Sequence, residues 1–246
     1  MNCLTIYVAK NMHFCYTMGA MIKTIDIAGI QLDNYTVREL IMSVEKEMSD
    51  QGFHTIEEVN MDTLMMAETD EVIREALTSA DHTVITEAGI LEAAGISNYQ
   101  RRHEIEHRDF FYELMKRIER NHKTIFVIGD TSGHTSTICD KMQNLFPKCE
   151  IAGTEALEEC MGATDAVVHE INALTPDVII SVLPSPEQEH FLMDNKEKLS
   201  ASLWYGIGMT ELQRKRGRLA NGIRNLIRTH KLERKLNHYY GKQENM

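Results

Sequence analysis

The sequence predicts an α/β protein built on a mainly parallel sheet with helices on both faces, followed by a basic helical appendage. Three observations carry this reading. Short apolar runs such as Ile125–Ile128 and Asp177–Leu183 read as strands buried on both faces. Runs with helical spacing lie between them, so strand and helix alternate along most of the chain. The end of the chain then changes character. From Glu211 to Met246, ten Lys or Arg stand against three Glu, about +7, which leaves about −18 on the rest of a chain whose total is −11.

A first strand is expected over Lys23–Ile30, where Gly29 allows a turn. Thr36-Val-Arg-Glu39 has capping-box form: the threonine oxygen and the Glu39 carboxylate each satisfy a free backbone N–H. It opens a helix whose apolar positions Val37, Leu40, Ile41, Val44 and Met48 share one face. His54–Val59 is a short strand, followed by Asn60 and a helix from about Asp62 to Ser79. His82–Thr86 is the next strand, with Glu87-Ala-Gly-Ile90 just past its end. Asp109–Arg120 is amphipathic through Phe110, Phe111, Leu114, Met115 and Ile118. Strand Thr124–Gly129 runs into Gly129-Asp-Thr-Ser-Gly133, and a helix covers His134 to Phe146. A strand near Glu150–Ala152, a helix over Ala163–Leu174 and strand Asp177–Leu183 follow. Pro184-Ser-Pro186 stops that strand, a helix leads through Lys198, and a last strand is expected near Ser202–Tyr205.

This order is Rossmann-like, and ligands in such sheets bind beyond the carboxyl ends of the strands. The rule singles out Asn60, Glu87–Ile90, Gly129–Gly133, Pro184–Gln188 and Gly206–Thr210. Residues 21–210 are expected to form this domain and 211–246 the appendage. Residues 1–20 are expected to be disordered or not native, the natural start being Met21; a genuine N-terminal strand or arm is the other reading.

Composition narrows the class. The 246 residues are 43% hydrophobic and 26% charged, as in ordinary soluble domains. No uninterrupted apolar run approaches the roughly 18 residues that cross a bilayer. The five cysteines are an odd number without metal-ligand spacing, which favours a reducing compartment over a disulfide framework. The acidic body argues against nucleic acid as a partner. His103 and His107 are four apart without a third ligand, so neither a metal site nor a cofactor is expected.

Each candidate site has two readings. The Gly129–Gly133 turn can hold a phosphate on backbone N–H groups at a helix start, or it is simply a tight βα turn. Ser185-Pro-Glu-Gln-Glu189 offers Gln188 as donor and acceptor for sugar hydroxyls or a pyrimidine edge, with Glu187 and Glu189 at the helix's positive end; otherwise it is a well-capped helix start. Glu87 is placed to act as a general base, although a solvated strand-end glutamate is the commoner occurrence. Asn60 can bind a hydroxyl or form an Asx turn. In the tail, Leu219, Ile223, Leu226 and Ile227, then Leu232, Leu236, Tyr239 and Tyr240, form an apolar stripe among basic residues. Such a helix suits an anionic membrane surface or, alternatively, packs on its own domain or another subunit.

Read in order, these segments resemble the WecB/TagA/CpsF family of glycosyltransferases. The stretch from Ile25 to Thr36 is similar to the family's opening strand and turn, and Glu58-Val-Asn60 to its Thr-x-Asn element with glutamate for threonine. Asp62 to Asp81 resembles its helix ending in Ser-Ala-Asp. Val84-Ile-Thr-Glu-Ala-Gly-Ile90 stands in place of an Asp-Gly-x-Gly element whose aspartate is the proposed base, here Glu87. Ile125–Gly129 resembles the central strand, and Thr175 to Glu189 a signature of Pro-Asp and Pro-x-Gln-Glu. Arg224, Lys231 and Arg234 have the spacing of three basic residues in the family's membrane-associating appendage. Gly206-Ile-Gly-Met-Thr-Glu211 departs from the family's Gly-Gly-x-x-Asp, and the arginine before its Gly-x-Asp element is missing near Glu104–Asp109.

The resemblance implies an inverting, metal-independent transferase, cytoplasmic and peripheral on the inner face of the membrane, serving envelope polymers such as teichoic acid or exopolysaccharide. Its donor would be a UDP-N-acetylhexosamine and its acceptor an undecaprenyl-diphosphate-linked sugar. Glu87 would be catalytic, and Asn60, Gly129, Gln188, Glu189, Arg224, Lys231 and Arg234 would bind substrate. A homo-oligomer is compatible with it. The altered loops leave a second reading: a catalytically degenerate member that binds a sugar nucleotide or a partner protein. A glutamate in place of aspartate moves the carboxylate by more than about 1 Å, a displacement that can cost about 100-fold in rate.

Overall fold

The computed structural model describes residues 23–50, 52–158, 164–208, 228–234 and 236. The expectations for residues 1–20, Arg224, Leu219, Ile223, Leu226, Ile227, Tyr239 and Tyr240 lie outside the described residues.

The chain opens on a hairpin where one strand was expected. Strands β1 (Thr24–Ile27) and β2 (Ile30–Asp33) pair antiparallel, with Ile27 opposite Ile30. The two-residue turn needs positive φ twice, and Ala28 (φ 54°) and Gly29 (φ 83°) adopt it. Spacing explains the correction: Ile25 and Ile27 alternate inward, then Ile30 and Leu32 resume one residue out of phase, so a straight strand would expose two of them.

Helix α1 (Val37–Glu47) starts at the expected box, with Glu39 N donating to Thr36 Oγ1 at 3.3 Å and Thr36 N to Glu39 Oε2 at 3.0 Å. After β3 (His54–Val59) the expected single helix is two, α2 (Met61–Met66) and α3 (Glu71–Ser79). The Asp70 carboxylate accepts from Val72 N and Ile73 N, at 2.9 and 3.2 Å, and so begins a new helix in mid-run. Strand β4 (His82–Ile85) leads to two helices that periodicity did not reveal, α4 (Ala88–Ala93) and α5 (Tyr99–His107). Helix α5 buries only Arg101 and Ile105, so it carries no apolar stripe. Then come α6 (Asp109–Arg120), β5 (Thr124–Gly129), α7 (Ser132–Leu145), β6 (Glu150–Ala156), α8 (Thr164–Leu174), β7 (Val178–Ser181), α9 (Glu187–Asn195) and β8 (Leu203–Gly206).

Six strands form one sheet in the order β4-β3-β8-β7-β5-β6, with every pairing parallel. This is the Rossmann-like α/β architecture that alternation predicted. Ile56, Val127, Ile180 and Tyr205 point to one face, under α1, α6 and α7. Phe126, Ile128, Ile179 and Trp204 point to the other, under α8 and α9. The last strand, β8, fills the place between β3 and β7, so the loops leaving β3, β8 and β7 lie side by side.

A third apolar cluster joins the hairpin to α2, α3 and α4, and it includes Leu232 and Leu236 from the tail. Residues 228–234 are helical, and these two leucines are buried against the body. Burial of each leucine is worth roughly 1.5–3 kcal/mol. That part of the expected membrane stripe faces its own domain. Among the described residues, no helix is long and apolar enough to cross a membrane.

Candidate active site

The loop after β4 is tied to the end of β3, because Thr86 donates from both N (3.0 Å) and Oγ1 (3.1 Å) to Val59 O. The chain then turns directly into α4, which aims Glu87 inward rather than at solvent. The residue is 5% exposed, and Oε2 accepts from Met61 N at 3.3 Å. Oε1 accepts from Arg228 Nη1 at 2.7 Å. The same guanidinium holds Asp62, Nε donating to Oδ1 at 3.1 Å and Nη2 lying 2.7 Å from Oδ2. Helix α4 meets the tail closely: a Cβ on Gly89 would lie 2.5 Å from Thr229 Oγ1. Asn60, beside this group, caps α2 by accepting from Asp62 N (2.8 Å) and Thr63 N (3.0 Å).

A second polar group lies below the loops of β7 and β8. Glu57 is fully buried in the middle of β3 and accepts from Trp204 Nε1 and Gln188 Nε2, each at 2.7 Å. Burial, reinforced by the nearby Glu189 carboxylate, pushes Glu57 up to about 8. Gln188 is held at its other end as well, Oε1 accepting from Gly208 N at 3.1 Å. Gly206 stands opposite Glu57 across the ladder, and a Cβ there would lie 2.4 Å from Glu57 Oε2 and 2.5 Å from Gln188 Nε2. Glu189, also fully buried, accepts from Ser185 Oγ at 2.6 Å, and burial raises its carboxyl above the usual range.

The opposite face of β3 carries Glu58, which takes both oxygens to Arg108 Nη2 at 3.0 Å and accepts from the Tyr205 hydroxyl. Burial and the Glu58 charge push the Tyr205 phenol well up. Arg108 joins α5 to α6 in the left-handed region (φ 56°). A cavity of about 20 Å³, room for one water, lies beside Glu58, Thr86, Arg101 and Arg108.

At the end of β5, Gly129 is required by crowding, since a Cβ would lie 2.1 Å from Thr135 Oγ1. Thr131 Oγ1 caps α7 by accepting from His134 N at 3.3 Å, and Ser132 N donates to the chain's own Glu158 carboxylate at 2.9 Å. The His134 ring is buried, with Nδ1 2.7 Å from Asp130 Oδ1.

The structure thus gathers Glu87 and Asn60 into one group and Gln188 and Glu189 into a second, both against the carboxyl half of β3. Gly129 lies farther along the sheet, two strands beyond β8. Lys231 and Arg234 are exposed on the tail helix. Sequence reasoning missed Arg228, Asp62 and Glu57. Arg228 precedes Leu232 and Leu236 at spacings of four, so its place on the buried stripe was available from the pattern. Ala88, next to Glu87, lines a cleft of about 450 Å³ with Leu91, Ile96, Tyr99 and Arg102.

Fold and cleft define a Rossmann-like α/β protein whose polar groups collect at the carboxyl edge of the sheet. The chain belongs to the glycosyl transferase WecG/TagA/CpsF family, whose model matches residues 25–210. The family resemblance read from the sequence is therefore correct. Similar proteins include the N-acetylglucosaminyldiphosphoundecaprenol N-acetyl-beta-D-mannosaminyltransferases of Staphylococcus aureus strains NCTC 8325 and MRSA252. Each is 23% identical over 189 residues, 75% of this chain and 72% of the relative.

Proposed function

We propose that the protein transfers an N-acetylhexosamine-type sugar from its UDP derivative to a polyprenyl-diphosphate-linked acceptor, by an inverting displacement that requires no metal. The observation that carries this reading is the inward, buried Glu87 carboxylate at the carboxyl end of β4, beside Asn60 and a tail cation. Supporting it are the family and the names of its relatives, which act on an N-acetylglucosaminyl diphosphoundecaprenol.

In this reading Glu87 removes the proton from the acceptor hydroxyl as that oxygen attacks the anomeric carbon. The bond from that carbon to the UDP oxygen breaks with inversion, and UDP departs with the electron pair. Asn60 orients sugar hydroxyls through its amide. Gln188, tied to Glu57 and Gly208, shapes the loop that faces the donor, and Glu189 supports the same helix start. Gly129, at the turn into α7, lines the donor side of the cleft. Residues 211–246 act as an appendage in which Arg224, Lys231 and Arg234 approach the acceptor diphosphate at an anionic membrane surface.

Purified protein incubated with UDP-N-acetylhexosamines and a short-chain polyprenyl-diphosphate N-acetylglucosamine tests the proposal. It requires a disaccharide product and free UDP. One observation favours a second reading, a degenerate member that binds without turnover: both Glu87 oxygens are already occupied by Met61 N and Arg228. Donor binding with no product would select it.

A further inference from the structure

The carboxylate that the reaction needs is held by a cation from the far end of the chain. Glu87 accepts from Arg228 at one oxygen and from Met61 N at the other, and its burial leaves no open approach for a hydroxyl. We propose that Arg228 is an anion-exchange latch on Glu87. With its helix docked, the guanidinium is held by the chain's own carboxylates, and a phosphate or diphosphate ligand that takes it over releases Glu87. The inference rests on the reading of Glu87 given above and adds the regulation of that site.

Three features support exchange over a purely structural ion pair. A guanidinium presents the same planar fork to a carboxylate and to a phosphate, so a ligand can replace the protein groups without leaving its N–H donors unpaired. Its two carboxylates differ: the Glu87 side chain is 4% exposed, whereas Asp62 is 44% exposed and marks the side from which an anion can enter. The same helix carries Lys231 and Arg234 on its exposed side, in a tail of ten basic residues, so an anionic ligand or surface is drawn toward it.

Besides Arg228, docking of this helix, among the described residues, rests on Leu232, Leu236 and the close approach of Thr229 to Gly89. A terminal element whose described apolar anchors are two leucines can open locally before the sheet does. Release of Arg228 therefore needs only the tail to shift, with β3, β4 and α4 unchanged. Acceptor arrival and exposure of the base then become one event.

The test is the reactivity of Glu87 in the full-length protein, read as carbodiimide-driven coupling of a small amine and quantified by peptide mass spectrometry. Native protein is expected to label slowly at Glu87, and inorganic pyrophosphate to raise that rate by about tenfold or more. Vesicles of phosphatidylglycerol and of phosphatidylcholine form parallel arms. Acceleration by pyrophosphate alone assigns the latch to a diphosphate ligand, and acceleration by the anionic vesicles assigns it to a lipid headgroup phosphate. Arg228→Ala should label fast without either, with thermal melting confirming that it folds. Asp62→Asn, which loosens one hold on the guanidinium and keeps Glu87 paired, should lower the pyrophosphate concentration required. A rate at Glu87 that no anion changes, or an Arg228→Ala protein that remains protected, overturns the latch. Because labelling is independent of turnover, a latch that opens while Glu87→Gln leaves turnover intact condemns the base instead.

Discussion

Arg228 Nη1 lies 2.7 Å from Glu87 Oε1 across 141 residues of sequence, and this contact fixes the tail helix to the carboxyl edge of the sheet. Leu232 and Leu236 continue the same stripe into the apolar cluster of the hairpin. Leu232→Ala is expected to release residues 228–234, seen as hydrogen exchange that becomes fast there and stays slow in β3, β5 and β7. Unchanged protection of the tail would show that these leucines do not hold it.

The Glu57 group predicts an inverted pH dependence. An acid whose folded value is raised to about 8 keeps its proton in the folded state and loses it in the unfolded state between about pH 4.5 and 8. Its contribution to stability is therefore present at low pH and lost as pH rises through that window, with a slope of up to about 1.4 kcal/mol per pH unit for one proton. Denaturant titrations across the window should show stability falling with pH, and Glu57→Gln should flatten the curve. A rising native curve contradicts the buried, protonated glutamate.

His82 acts in the same direction through a different cause. Burial alone would lower its value, but Asp33 and Glu47, the latter 2.9 Å from Nε2, outweigh burial and raise it. The stabilisation is full below the unfolded value near 6.5 and disappears as pH climbs through the raised folded one. His82→Gln should remove this component while leaving the Glu57 component, and NMR titration of the ring should give a midpoint above 6.5. A midpoint below it would contradict the pairing.

Crowding at the ends of β5 and β8 predicts two costly glycine substitutions. Gly206→Ala would drive a methyl group into Glu57 and Gln188, and Gly129→Ala into Thr135 Oγ1. Each should lose about 1–3 kcal/mol in denaturant melts. Thr135→Ala should recover part of the second loss, because the two sites share one space. Additive losses in that double variant would show that the clash is not the cause.

Glu58 and Arg108 predict a different kind of loss. The Glu58 side chain is 5% exposed and Arg108 18%, so Arg108→Ala leaves a buried carboxylate with Tyr205 as its remaining named partner. A destabilisation of roughly 3 kcal/mol is expected, with much of it recovered by adding Glu58→Gln. A neutral Arg108→Ala would show that the pair contributes nothing to the fold.

Much of the architecture was legible because strands such as Val178–Ser181 are apolar on both faces, and only a sheet covered on both sides accepts that pattern. The strand-end rule likewise located Glu87, Asn60 and Gln188 before any contact was known. The failures have local causes. The hairpin hid behind a one-residue shift in alternation, the break before α3 behind one capping aspartate, and α5 behind a buried face made of Arg101 and Ile105. Arg228 escaped notice because the family spacing falls on Lys231 and Arg234, whereas its burial follows the stripe of Leu232 and Leu236. Glu57 and Glu58 were unreadable in role because adjacent residues on a strand point to opposite faces, and only the neighbours Trp204 and Tyr205 reveal what each carboxylate holds.

Whether Glu87 takes the proton from the acceptor hydroxyl is decided by single-turnover transfer at saturating UDP-sugar and acceptor, native protein beside Glu87→Gln. The variant is expected to be slower by about 100-fold or more, with UDP-sugar affinity measured separately and unchanged. Equal single-turnover rates in the two proteins would contradict it.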